Sequence, residues 1–211
     1  MDVETYKQDE KQMFLNHTLT ATNDEYATKY LQGFLSGNMV ESMAFLKAIN
    51  EYGETCLDVG SSYGAQYFGL KKFYPNIKWT GCEISQQYID RFKNLLEEGE
   101  NAEVFLISDY KDLSSIPDNS YDVVTSRSML CHYTPENAFK IIDEMLRIAK
   151  KAVVIKFYCL PTDNDDRYVE GFGNMTDRGY FVYWSKLKWD EYIKDKKVKE
   201  YEKKEVIVIE K

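Results

Sequence analysis

The chain has 211 residues, of which 44% are hydrophobic and 15% aromatic, and its formal net charge is −8. This length suits one compact domain with its own core, and this composition excludes a disordered or low-complexity protein. The acidic balance argues against broad binding to the phosphate backbone of nucleic acids. We therefore expect no nucleic-acid partner. Because the N-terminus has no apolar leader and no run approaches the ~18 apolar residues of a membrane span, we also expect a cytoplasmic protein that does not bind membranes.

The pattern of apolar residues predicts an α/β fold. Residues 4–52 repeat apolar side chains at spacings of three and four, which predicts helices, with Asn23 and Asn38 as N-caps. Strand-like and helix-like segments then alternate, as in βαβ units with a parallel sheet. The predicted strands are 55–59, 77–83, 102–107, 121–126 and 152–158, and the predicted helices are 65–73, 86–96 and 135–150.

The last fifty residues are less regular. Residues 161–179 are rich in Asp, Asn and Gly without periodicity, which predicts a mobile surface loop that could cover an acceptor. A strand at 180–185, a helix near 189–194 and an apolar strand at 205–210 follow. The lysine-rich run 194–204 contains interleaved acids, so we interpret it as a solvated helix or loop face without a binding role.

Cysteine and histidine show no clustered spacing. The two histidines, His17 and His132, are far apart, so no metal site is predicted. The four cysteines form no CxxC pair and each falls in or beside a predicted strand, which favours small buried thiols. They are Cys56, Cys82, Cys131 and Cys159.

Residues 55–64 form an apolar strand that ends in a carboxylate and a small-residue turn. Gly60 and Gly64 mark a strand-to-helix elbow, because glycine lets the backbone turn sharply and approach a ligand closely. Such an elbow favours an anion, whereas the carboxylate of Asp58 repels diphosphate and suits a ligand that carries positive charge. S-adenosylmethionine is such a ligand. A tight structural turn is the alternative.

Three successive predicted strands end in an acid, and the carboxyl ends of parallel strands meet at one edge of the sheet. Glu83 is placed to accept the two ribose hydroxyls of a nucleotide, and Asp109 to accept the adenine amine. Each acid alone could equally be a turn residue or a helix cap. After the fourth strand, Arg127 is a substrate anchor or a surface charge, and His132 a general base or a capping residue.

These motifs resemble those of the class I S-adenosylmethionine-dependent methyltransferases over residues 55–211. The family motif D/E-x-G-x-G-x-G matches residues 58–64, with Ser62 in place of the middle glycine. The resemblance implies a doubly wound α/β fold, with a mostly parallel seven-stranded sheet, helices on both faces and an antiparallel last strand. It places Gly60, Ser61 and Ser62 at the methionine part of the cofactor. Beyond these it assigns cofactor contacts to Glu83, Ile84, Asp109, Tyr110, Ser126 and Arg127.

The resemblance also sets the expected organisation and reaction. We expect the N-terminal helices of residues 1–53 to form part of an acceptor-side cap, and the resemblance implies that residues 54–211 form the cofactor-binding core. The segment after the fourth strand matches neither the nucleic-acid amine methylases nor the cytosine C5 type nor the metal-dependent catechol type, so methylation of an O or N atom of a small molecule is expected. Its pocket could be walled by Tyr158, Tyr168, Phe172 and Tyr183.

Two other functions stay open at this point. A nicotinamide-dependent oxidoreductase uses the same βαβ half and ribose acid, but the elbow lacks G-x-G-x-x-G and Asp58 would repel a diphosphate. A methyltransferase-like binding module without turnover keeps the same cofactor residues, since these say nothing about acceptor chemistry.

Overall fold

A computed structural model of the chain describes residues 31, 32, 35, 40–156, 172–175, 179–182, 186–201 and 205–211. Several sequence predictions therefore lie outside the described residues. They are the N-caps Asn23 and Asn38, the thiol of Cys159, the pocket walls Tyr158, Tyr168 and Tyr183, the side chain of Phe172 and most of the loop at 161–179.

Strands and helices alternate along the described chain. The helices are α1 (Val40–Tyr52), α2 (Ala65–Phe73), α3 (Gln86–Leu95), α4 (Pro135–Ile148) and α5 (Lys186–Ile193), with a short 3-10 helix at Leu130–His132. The strands are β1 (Thr55–Val59), β2 (Lys78–Glu83), β3 (Glu103–Leu106), β4 (Tyr121–Arg127), β5 (Ala149–Lys156), β6 (Phe172–Met175), β7 (Gly179–Val182), β8 (Lys197–Tyr201) and β9 (Val206–Glu210). Most predicted boundaries agree to within two or three residues.

Seven strands form one sheet in the order β3-β2-β1-β4-β5-β9-β8. The first five strands are parallel to one another, and β9 is antiparallel to both β5 and β8. The predicted doubly wound, mostly parallel seven-stranded sheet with an antiparallel last strand is thus confirmed. The strand order reverses between β1 and β4, and ligands of such sheets bind outside the carboxyl ends of the strands at this point.

Helices cover both faces of the sheet, so its central strands are apolar on both sides. In β1, Leu57 packs into the core beneath α4, whereas Cys56 packs into the core beneath α1, α2 and α3. The same alternation continues through β4, β5 and β9. Helix α4 buries Ala138, Ile141, Ile142, Met145 and Ile148, which recur at helical spacings of three and four. Polar side chains that could bind a ligand are therefore expected at the strand ends and not on the faces of the sheet.

Two predictions for the C-terminal region were wrong. The lysine-rich run contains β8, which forms the edge of the main sheet, where charged side chains are tolerated because one flank stays open to water. Its Lys199 and Tyr201 side chains both bond to Glu51 of α1. The predicted loop at 161–179 contains β6, which pairs with β7 in a separate two-stranded sheet.

Three of the predicted buried thiols, Cys56, Cys82 and Cys131, are buried. Within the part of the chain that the structure describes, no helix is long and apolar enough to cross a membrane.

Substitution of the elbow glycine Gly64 tests how tightly α2 and α3 pack against each other. Its φ of 77° lies in the left-handed region, and a Cβ atom there would lie 2.2 Å from Cδ2 of Phe92 in α3. We expect Gly64→Ala to lower the free energy of unfolding by about 3 kcal/mol, from backbone strain plus overpacking. Urea denaturation followed by circular dichroism measures this change.

Gly99 provides the matched control, because its φ is 85° and nothing lies within 4 Å of its Cβ position. Gly99→Ala should therefore cost only the backbone term, about 1 kcal/mol. Equal losses in the two variants would show that the Phe92 contact does not matter.

Candidate functional site

The elbow at residues 60–64 ties the carboxyl end of β1 to that of β2. The backbone N–H groups of Gly60 and Ser61 both donate to the carbonyl oxygen of Cys82, at 3.0 and 3.2 Å. The N–H of Gly64 then donates back to the carbonyl oxygen of Ser61 at 2.9 Å. The turn places its backbone at the point where the strand order reverses.

Ser62 takes over the conformation of the glycine that it replaces. Its φ is 51°, in the left-handed region. This conformation aims its N–H at Oε2 of Glu83, which accepts the bond at 2.9 Å. The serine therefore keeps the elbow intact at the cost of some backbone strain.

Glu83 is the most heavily bonded acid of the site. Its side chain is 1% exposed. Oε1 accepts hydrogen bonds from the Ile84 and Ser85 N–H groups at 2.8 and 3.1 Å and from the Tyr110 hydroxyl at 2.6 Å. Burial raises the pKa of Glu83, and these donors oppose that shift. Oε2 accepts only the Ser62 bond among the described residues, which leaves a lone pair for a ligand hydroxyl.

Asp58 lies in a buried polar cluster under the elbow. It is 2% exposed, and its carboxyl group accepts hydrogen bonds from Trp79 Nε1 and Thr125 Oγ1, both at 3.4 Å. Gln66 Nε2 donates to Thr125 Oγ1 at 2.8 Å and fixes that hydroxyl in turn. Burial raises the pKa of Asp58 to about 7, although Trp79, Thr125 and Arg127 oppose the shift. A cationic ligand beside it would restore the charged form.

Residues that follow β2 and β3 contact Glu83. Ile84 and Tyr110 are buried, and Tyr110 uses its hydroxyl to hold Glu83, a contact that the sequence did not predict. Asp109 is partly exposed, with Oδ1 accepting the Lys111 N–H at 2.9 Å. The structure thus brings Glu83, Ile84 and Tyr110 together, and the partly exposed Asp109 immediately precedes Tyr110 in the chain.

The end of β4 carries three of the predicted residues. Ser126 is fully buried, and Arg127 donates from Nη2 to the Ser42 hydroxyl in α1 at 2.9 Å. His132 is buried in the 3-10 helix, where its N–H donates to the Met129 carbonyl oxygen at 3.0 Å. Sequence reasoning missed Lys156, which ends β5 beside Arg127. The sequence pattern that could have identified it is a single lysine at the end of the apolar strand segment 152–155.

An open cavity of about 900 Å³ lies elsewhere, at the amino ends of β1, β2, β3 and β4, lined in part by Thr55, Lys78, Glu103 and Tyr121. It is at the edge of the sheet opposite the elbow. We place the functional site at the carboxyl edge, because that edge combines the elbow with two buried carboxyl groups.

Comparison with known proteins shows what kind of domain this chain contains. A family model described as a methyltransferase domain matches residues 56–152. The match identifies residues 56–152 as a methyltransferase domain, which is consistent with the class I S-adenosylmethionine-dependent family. This match covers the elbow, Glu83, Asp109 and the end of β4, and S-adenosylmethionine is the cofactor of the family. It decides against the nicotinamide-dependent alternative. No curated protein matches the chain.

Solved structures of other proteins share the fold at low sequence identity. PH0226 protein from Pyrococcus horikoshii OT3 is 17% identical with a TM-score of 0.61, covering 90% of this chain and 92% of that one. Magnesium protoporphyrin IX methyltransferase from Synechocystis PCC 6803, solved with bound S-adenosylmethionine, is 15% identical with a TM-score of 0.56, covering 100% and 96%. Human N-acetylserotonin methyltransferase is 16% identical with a TM-score of 0.60, covering 86% and 55%.

The carboxyl edge of this methyltransferase suits its cofactor. The hydroxyl groups of Ser61 and Ser126 are buried and have no hydrogen-bond partner among the described residues. Buried polar atoms of this kind normally have partners, so both are available to a bound polar ligand. The carboxyl group of Asp58 adds an attraction for positive charge. In the described part of the chain, no group of three or more His, Cys, Asp and Glu side chains could hold a metal ion.

The raised pKa of Asp58 makes the stability of the cofactor-free methyltransferase depend on pH. The folded-state pKa of about 7 lies above the ordinary value of 3.8. The free energy of unfolding therefore decreases, by the contribution of this one group, as pH rises from about 4 through 7. Asp58→Asn should raise the free energy of unfolding by roughly 2–4 kcal/mol at pH 8 and by much less at pH 5. Urea denaturation at both pH values measures the difference. An equal effect at pH 5 and pH 8 would contradict this pKa.

Proposed function

We propose that this methyltransferase transfers a methyl group to a nitrogen or oxygen atom of a small-molecule acceptor. The main support for a cofactor site at this edge is a pair of buried carboxyl groups, Asp58 and Glu83, on either side of the elbow. The net charge of −8 supports a small acceptor over a nucleic acid, because a polyanion would be repelled.

The side chains around Glu83 suit the adenosine part of the cofactor. The remaining lone pair of Glu83 Oε2 is assigned to a ribose hydroxyl, and Asp109 to the adenine amine. The buried Ile84 side chain adds an apolar surface for the base, while Tyr110 holds Glu83 in place.

The side chains around the elbow suit the methionine part. The carboxylate of Asp58 attracts its ammonium group, and the buried hydroxyls of Ser61 and Ser126 can bond to its polar atoms. Arg127 lies close enough to Asp58 to lower the pKa of that carboxyl group. Residues at the carboxyl ends of β2, β1 and β4 would therefore hold the cofactor.

When bound, S-adenosylmethionine supplies a methyl group on a sulfonium: the S–C bond breaks, its electron pair stays on sulfur, and the acceptor lone pair forms the new bond. The chain has to align the acceptor and exclude water, and alignment can supply about 7–11 kcal/mol. An acceptor hydroxyl or ammonium must also lose a proton. His132, buried near the end of β4, is assigned this role.

S-adenosylhomocysteine tests the cofactor assignment. At 100 times its dissociation constant it should raise the free energy of unfolding by about 2.7 kcal/mol, whereas NADH at the same concentration should have no effect. Glu83→Gln should weaken its binding about tenfold or more, because a charged acceptor is lost. Thermal denaturation and calorimetric titration measure these effects.

Glu103→Gln is the matched control, because Glu103 is exposed on β3 and lies at the opposite end of the sheet. Its binding of S-adenosylhomocysteine should equal that of the wild type. Stabilisation by NADH alone would overturn the proposed function.

His132→Asn tests the base, since it removes the proton acceptor at similar side-chain size. We expect turnover to fall about 100-fold while the affinity for S-adenosylhomocysteine stays unchanged. The assay incubates the protein with methyl-labelled cofactor and a cell extract and follows the labelled product. Near-normal turnover would remove His132 from the mechanism. Cofactor binding without any labelled product would favour the non-catalytic alternative.

A further inference from the structure

Ser128, the first residue after β4, has a strained backbone. Its φ of 62° lies in the left-handed region, which a residue with a Cβ atom adopts only at a cost in free energy. Its N–H donates to the carbonyl oxygen of Lys156 at 3.1 Å, and its own carbonyl oxygen accepts a bond from Sγ of Cys131 at 2.8 Å. Strain of this kind persists only where the surrounding structure holds it, and it clusters in functional sites.

The side chain of Ser128 adds a second cost. Its hydroxyl oxygen is buried and has no hydrogen-bond partner among the described residues. Buried hydroxyls normally have a partner, because an unpaired one has lost its bonds to water without replacement. Glycine at this position would avoid both the strain and the unpaired hydroxyl. A serine here is therefore explained better by a ligand that completes the bond than by the stability of the fold.

The contacts of the turn after β4 place Ser128 inside the candidate site. Met129, the next residue, covers the elbow so closely that a Cβ atom on Gly60 would lie 2.8 Å from its Cγ. The bond from Cys131 ties Ser128 to the 3-10 helix, which ends at His132. Ser128 therefore belongs to a turn that contacts the elbow at one point and carries the proposed base at another.

We propose that the hydroxyl of Ser128 binds the acceptor, at a polar group beside the atom that is methylated. This inference rests on the proposed function, in which the acceptor must reach both the methyl group near the elbow and the base His132. The reacting atom needs its lone pair for the methyl group and gives its proton to His132. The Ser128 bond is thus left for a neighbouring O–H, N–H or C=O group, since a hydroxyl can donate and accept. The strained turn holds this hydroxyl in place before the acceptor arrives.

Ser128→Ala tests the bond, because it removes the hydroxyl and keeps the Cβ atom. The assay uses methyl-labelled S-adenosylmethionine and a dilution series of one small-molecule cell extract, and its initial slope measures kcat/KM for the acceptor. We expect this slope to fall about tenfold or more, with binding of S-adenosylhomocysteine within about twofold of the wild type. A wild-type slope overturns the proposal. Lost binding of S-adenosylhomocysteine also overturns it, since the hydroxyl would then hold the cofactor.

Ser120→Ala is the matched control. Ser120 immediately precedes β4 at the opposite edge of the sheet, and its hydroxyl oxygen is likewise buried without a partner in the described part of the chain. This variant should keep both the slope and the binding of S-adenosylhomocysteine. A loss of slope as large as that of Ser128→Ala would show that the effect does not depend on the candidate site, and would overturn the assignment.

Ser128→Gly separates the ligand contact from the fold. Glycine adopts a φ of 62° freely, so this variant should unfold at the wild-type urea midpoint or above it, although its slope should fall as in Ser128→Ala. A lower urea midpoint would show that the serine stabilises the fold, against the proposal.

The chemical structure of the labelled product completes the test. Mass spectrometry should find an oxygen or nitrogen atom on a carbon next to the methylated position, and a product without one overturns the proposal while the proposed methyl transfer stands. Binding of S-adenosylhomocysteine by the wild type without any labelled product has a different meaning. It overturns the proposed methyl transfer and this inference with it.

Discussion

The site depends on the hydrogen bonds that the buried carboxyl group of Glu83 accepts. Its oxygens collect donors from the elbow after β1, from the turn after β2 and from the segment after β3. Three strand ends are thereby held around one buried charge. Such a group is stable in the interior only while its donors stay in place, because an unpaired buried carboxylate costs several kcal/mol. The same bonds that pay this cost therefore also shape the edge of the sheet where we propose that the cofactor binds.

The division between apolar faces and polar edges explains why the site is where it is. Both faces of the central strands are covered by helices, so side chains such as Leu57 and Val124 have no access to a ligand. The chain changes direction only at the strand ends, where backbone groups lack ladder partners and polar side chains are needed. Asp58 and Glu83 at one edge, and the lysine at the end of β5, all follow from this constraint.

The sequence predicted the parallel core well because its signals are local. The apolar run at β1 and the glycines after it specify a strand and a turn without help from distant residues. It could not predict that Tyr110 bonds to Glu83, because that contact joins residues 27 apart in the chain through the packing of two strand ends. Nor could it predict β8, whose charged side chains look solvated and whose strand conformation depends on pairing with β9. Lys156 was missed because a single lysine ends many strands.

The order of the strands has a consequence for synthesis and folding. Strand β9 follows β8 in the chain, yet it lies between β5 and β8 in the sheet. The edge of β5 and its apolar residues Val153 and Ile155 therefore lack their partner until residues 206–210 have left the ribosome. Until then the nascent chain presents an unpaired apolar edge of the kind that promotes aggregation. Completion of this fold is a late, long-range event, and the main folding hazard lies at the open edge of β5, which β1 and β4 separate from the Glu83-bearing strand β2.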